Sequence, residues 1–226
     1  MSEDFVSAVT GVGALAEPAR RSLYLYAARA AAPVSREQAA HACGVALHSA
    51  KFHLDRLVDE GLLEVEFRRL TGRTGPGAGR TAKLYRRADR EVSVSLPERH
   101  YDLAGDVLAE AIDTSLRSGV PVGEAVDEVA RDRGRRLATD GAAPVGTDLE
   151  RTADVLGRAG YEPSVHDGEL CLRNCPFDRL AREHTDLVCG MNLSLVGGVL
   201  EALDCRTLTA ELAPDPELCC VRARPR

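Results

Sequence analysis

Apolar and alanine positions recur at helical spacing from Leu15 to Ala32, and Pro33 closes the run, so the pattern predicts a first helix there. Ser35-Arg36-Glu37-Gln38 has the form of a capping box, Ser35 at the N-cap and Gln38 reaching back, and opens a short helix ending at Gly44. After a tight turn, ALHSAKFHLDRLVDE (residues 46–60) puts Ala50, Leu54, Leu57 and Val58 on one face and His48, Ser49, Lys51 and His53 largely off it, until Gly61 stops the helix. LLEVEFRRL then has strand character, TGRTGPGAGR is punctuated by Gly and Pro, and TAKLYRRA returns to strand. Three helices followed by a hairpin is the order of a winged helix-turn-helix, whose recognition helix enters the major groove of DNA.

The second half begins with PERHYDLAGDVLAEAIDTSLRSG, a long helical period with Pro97 near its start and Gly119 at its end. Its apolar stripe, Leu103, Val107, Leu108 and Ile112, suits the seam of a homodimer. PVGEAVDEVARDRGRRLATDG and TDLERTADVLGRAG repeat the pattern, each closed by glycine, and YEPSVHDGELCLRN reads as a hairpin turned at Asp167-Gly168. The tail, TLTAELAPDPELCCVRARPR, reads as two strands around Pro214 to Pro216. The expected fold is mainly α with small β elements: a winged helix-turn-helix over 1–92, a linking and dimerisation helix over 93–120, and an α+β cysteine-rich sensory domain over 121–226.

Composition fits two small domains, since 226 residues with 44% hydrophobic side chains can bury a sizeable core. The opening MSEDFVSAVTG carries acids where a signal peptide needs bases, and nowhere do eighteen apolar residues follow one another, which points to the cytoplasm and away from a membrane. Net charge is -6, but residues 1–90 hold 14 Lys and Arg against 10 Asp and Glu, leaving the excess acid in the remainder. Between Arg68 and Arg87 stand seven basic residues and no acid, a local surface suited to phosphates or a narrow minor groove. Arg73 and Arg80, with Lys83 on the returning strand, are the candidate wing contacts to a double-stranded DNA operator, beside His48, Ser49, Lys51 and His53 on the recognition helix. For His48 and His53 an ordinary surface role is an equal alternative, and Cys43 reads as a small buried side chain.

Seven cysteines, six of them after position 170, point in a reducing compartment to metal ligation or redox sensing over a disulfide scaffold. Cys175-Pro176 puts a thiol at a helix N-cap, where unpaired amides lower its pKa and make it a good ligand. One unbroken helix from there to Cys189 would hold the two about 21 Å apart. A shared site therefore needs a break, and His184-Thr185-Asp186 offers one, with Thr185 or Asp186 capping the next helix and His184 left at the bend. Cys219 and Cys220, adjacent on a strand, should face apart, so that only one serves as a ligand. The Cys171-x3-Cys175 spacing falls short of a zinc-finger pattern, and buried structural thiols are the alternative.

The stretch VSREQAAHACGVALHSAKFHLDRLVDEGLLE with GRTGPGAGRTAKLYRR resembles the ArsR-type winged-helix regulators, and with NCPFDRLAREHTDLVCGMNL and a late cysteine the whole chain resembles their SufR branch. The resemblance implies a homodimeric repressor with an iron–sulfur cluster, 4Fe-4S or 2Fe-2S, held by Cys175, Cys189 and one of Cys219 or Cys220, while Cys205, Cys171 and His184 compete for the fourth position. Two alternatives remain: Zn2+ or a thiol switch in the same regulator, and an enzyme with Cys175 as nucleophile and His184 as candidate base. If the basic wing contacts phosphate, Arg80→Ala weakens binding to specific and random DNA alike and lowers the salt-dependence slope by about one, measurable by fluorescence anisotropy across a salt series.

Overall fold

The computed structural model describes residues 3–68, 81–215 and 217–226, so Arg73 and Arg80 lie outside the described residues. The chain divides into two compact units, the first ending at Val94 and the second beginning at Ser95. It is mainly helical with two small antiparallel sheets, and among the described residues no helix is long and apolar enough to cross a membrane.

The first unit runs α1 (Glu3–Ala14), α2 (Pro18–Arg29), β1 (Val34–Ser35), α3 (Arg36–Cys43), α4 (Leu47–Asp59), β2 (Leu63–Arg68) and β3 (Ala82–Arg87). The helix expected from Leu15 starts instead at Pro18, because the Glu17 carboxylate accepts from the amides of Ala19 and Arg20 and proline takes the first helical position. A further helix, α1, precedes it. The capping box forms as expected: the Gln38 amide donates to Ser35 Oγ at 3.2 Å and the Ser35 amide to Gln38 Oε1 at 2.8 Å. Gly44, at φ 64°, ends α3 in the left-handed region and lets the chain turn into α4 within three residues. The sheet order is β1-β3-β2, and Leu23, Leu54, Leu57, Leu63 and Tyr85 fill the core between helices and sheet.

The second unit contains α5 (Tyr101–Ser118), α6 (Val122–Thr139), α7 (Asp148–Arg158), β4 (Pro163–His166), β5 (Glu169–Leu172), α8 (Asp178–Glu183), α9 (Thr185–Ala202), β6 (Leu208–Leu212) and β7 (Val221–Pro225). Its sheet has the order β4-β5-β7-β6, and the first hairpin turns at Asp167-Gly168, both with positive φ. The helix expected to link the halves is α5, and it belongs to this unit, packed on α6. That packing changes the expected seam: Val107 is buried with Ala104 and Ala111 in the unit's own core, Leu103 and Leu108 lie half against it, and Ile112 is 51% exposed. Leu116, 80% exposed, joins Ile112 on the outer face.

At the centre α6 and α9 touch backbone to backbone. A methyl group on Gly134 would collide with the Leu195 carbonyl, and one on Gly198 with the Arg131 carbonyl. Gly198→Ala is therefore expected to destabilise the protein by about 1–3 kcal/mol in chemical denaturation, since neither helix can withdraw without opening the core. Gly123→Ala, also on α6 but with nothing within 4 Å of the added carbon, should be neutral or gain up to about 1 kcal/mol.

Candidate functional site

Four thiols meet at one edge of the second unit. Cys175 follows β5, in a turn anchored by the fully buried Phe177, whose amide donates to the Cys175 sulfur. The helix breaks at His184, at φ -135° and ψ 54°, where a break was expected, and α9 returns with Cys189 in its second turn. Neither Thr185 nor Asp186 caps α9; the Thr185 hydroxyl instead donates to the Ala181 carbonyl at 2.8 Å. The third segment arrives through the Cys219 amide, which donates to the carbonyl of Leu172 at the end of β5 at 2.8 Å.

Thiol-to-thiol interactions link Cys175 to Cys219, Cys219 to Cys220 and Cys220 to Cys189. The strand on which the expectation that Cys219 and Cys220 face apart was based begins only after them. β7 starts at Val221, so Cys219 and Cys220 precede the strand and are not bound by its alternation. A polar layer backs the group: Asn192 Nδ2 donates to Cys219 Sγ at 3.2 Å, the Tyr161 hydroxyl donates to Asn192 Oδ1, and the Val221 amide donates to the Cys219 sulfur. Asn192 is a buried polar residue in an apolar helix, a signal the sequence carried.

These surroundings reverse the pKa expected for Cys175. Its contact with Cys219, and then burial, push the thiol far above the usual range, outweighing the Phe177 amide. Cys219 stands at about 11: the bond from Cys175 acts downward, but Cys220 and burial outweigh it. Burial raises Cys189 too, against the bond from Cys220. Helix α8 begins two residues later than the N-cap reading of Cys175 required, which removes that reading's basis for a lowered pKa.

The other candidates for a fourth ligand stand apart. Cys205 packs near the Thr152 hydroxyl at 3.6 Å and the Asp148 carbonyl at 4.0 Å. Cys171 alternates on β5 with Leu170 and Leu172, which point into the core. His184 is exposed at the helix break, and Cys43 is half-buried against the core of the first unit. Among the described residues no three His, Cys, Asp or Glu side chains form a group that could hold a metal ion as they stand. In donor type alone Cys175, Cys189, Cys219 and Cys220 suit a soft metal or an iron–sulfur cluster, since thiolates bind both.

In the first unit His48, Lys51 and Phe52 are exposed on α4 and Ser49 is half-buried. His53 is held between Glu17 at 3.7 Å and Arg20 at 3.5 Å, and Lys83 pairs with Asp55 at 2.5 Å, so both are engaged within the unit. Phe52, 64% exposed beside Lys51, escaped the sequence reading because it sits off the apolar face. No protein-family model, characterised protein or solved structure matches this chain.

Serine at Cys175, Cys189, Cys219 or Cys220 should each abolish or strongly weaken the thiolate-to-metal absorption of a Co2+-loaded sample, whereas serine at Cys43, Cys171 or Cys205 should leave it intact. Because Cys175, Cys189 and Cys219 are pushed above the ordinary thiol range, each must release its proton to bind. Apparent Co2+ affinity should therefore rise from about pH 6 to about pH 8, with proton release measurable in weakly buffered titrations.

Proposed function

We propose that this protein is a transcriptional repressor that binds operator DNA as a homodimer through a winged helix formed by residues 3–94, under the control of an iron–sulfur cluster at Cys175, Cys189, Cys219 and Cys220. The observation that carries this reading is the convergence of four thiols from three separate segments. An isolated buried cysteine needs no ligand, but four linked pairwise, Cys175 to Cys219, Cys219 to Cys220 and Cys220 to Cys189, concentrate soft donors where packing alone would favour apolar side chains.

On the DNA side, support comes from the order α3, three-residue turn, α4 and β2–β3 sheet, with α4 presenting His48, Lys51 and Phe52 outward. Lys51 has no ion-pair partner among the described residues and is available to a phosphate or a guanine edge. Ile112 and Leu116 on α5, and Val6, Val9 and Val12 on α1, are exposed apolar positions that a second copy would cover. The cluster would supply sensitivity to iron, oxygen or redox state, while this chain's residues hold it and exclude water.

Zn2+ is the second reading. Pairwise thiol contact suits a single tetrahedral ion, whose sulfurs stand about 3.8 Å apart for Zn–S bonds of about 2.3 Å. An enzymatic role for Cys175 is disfavoured, since a thiol held protonated among three others is a poor nucleophile.

Anaerobic purification with iron, sulfide and zinc analysis separates the two metals: brown colour with near-stoichiometric sulfide supports the cluster, and zinc without sulfide the alternative. Selection from a random duplex pool then tests DNA binding. Lys51→Ala should cost about 1–3 kcal/mol on the selected site and less on random DNA, and equal loss on both would remove Lys51 from base recognition.

A further inference from the structure

The thiol site is tied to the segment that follows the first unit. Asn174, buried beside Cys175, donates from Nδ2 to the carbonyls of Glu98 at 2.8 Å and Gly160 at 2.6 Å, and its Oδ1 accepts from Arg99 Nη1. The same Arg99 nitrogen donates to the Cys175 carbonyl at 3.2 Å, and the guanidinium stands 3.8 Å from Asp178. The His100 amide donates to the Pro176 carbonyl at 3.1 Å. Residues 98–100 are thus bonded to three consecutive residues, Asn174, Cys175 and Pro176, the middle one carrying a thiol of the site. A cleft of about 290 Å³ is lined by Arg99, Asn174, Cys175 and Cys219 among others.

We propose that Asn174 and Arg99 are positioning residues that carry the state of the thiol site into residues 95–100, the segment joining the second unit to the first. The inference rests on reading the four thiols as a metal-binding site. Ligation would fix the Cys175 sulfur, and the residue's backbone carbonyl is bonded to Arg99, so that fixation would be felt in the joining segment. Neighbouring Asn174 can adjust little by itself, because both its amide hydrogens and its carbonyl oxygen are engaged. A bonded network with every donor used transmits displacement where a solvated loop would absorb it.

The test uses the full-length protein, Co2+ as probe and amide hydrogen exchange as readout. In the wild type, Co2+ should slow exchange across residues 95–104 by about tenfold or more. Asn174→Ala and the milder Arg99→Lys, which keeps the charge but loses the planar fork, should retain Co2+ absorption and stoichiometry yet lose most of that protection. If Asn174→Ala does not fold, Arg99→Lys alone decides. Co2+ binding by the wild type without added protection at 95–104, or variants that keep the full effect, overturns the latch alone. Absence of thiolate-to-Co2+ absorption in the wild type overturns the metal-site reading and the latch with it.

Discussion

The second unit depends on two glycines. Gly134 and Gly198 let α6 and α9 approach until the backbone of each occupies the space a methyl group would need on the other. Close approach fixes α9 in rotation and depth, and α9 carries Cys189 and Asn192. Val188, Met191, Leu195 and Val199, with Leu170, Val221 and Ala223 from the sheet, complete the core around that contact. A helix with side chains interposed would sit farther out, and its cysteine would lose register with Cys175 and the residues before β7.

Given that scaffold, the thiol group is a compromise between packing and charge. The sulfurs are tolerated in a largely buried place because Cys175, Cys189 and Cys219 are pushed above the ordinary thiol range, and because Asn192, itself held by Tyr161, donates to Cys219. Ionising one of them without a counter-charge would place an anion in surroundings that have already raised its neighbours' pKa values. A metal ion removes that obstacle by supplying positive charge where the protons stood.

Much of this was legible along the chain, for local reasons. The capping box at Ser35, the glycine stop at Gly44, the turn at Asp167-Gly168 and the helix break at His184 depend on residues within one turn of each other. What eluded the sequence was set by distant contacts. Cys219 and Cys220 were assigned to a strand, but bonding of the Cys219 amide to Leu172 delays the strand to Val221 and lets both sulfurs face inward. The lowered pKa expected for Cys175 assumed a lone thiol at a helix start, and the contact with Cys219, with burial, reverses its sign. The seam assigned to α5 assumed that the stripe was unpartnered, whereas α6 covers Val107.

The first unit shows the same principle in its charges. Asp55 on α4 accepts from Lys83 and from the Tyr85 hydroxyl at 2.9 Å; burial alone would raise its pKa, but those bonds hold it below the usual carboxylate value. The carboxylate therefore fastens α4 to β3 from the helix's solvent-facing side, while Leu54 and Leu57 fasten it from the core. If α4 is the recognition helix proposed above, being held from both sides would let it enter a groove as a rigid body, at little ordering cost on binding. The cost falls on charge: Lys83 is neutralised by Asp55, His53 is shared between Glu17 and Arg20, and Arg36, Arg56, Arg68 and Arg86 each pair with a glutamate. The excess of basic residues before position 90 is thus partly consumed in holding the unit together. Attraction for a phosphate backbone would then rest on cations such as Lys51, which has no ion pair among the described residues, and the placement of α4 would matter more than the count of bases.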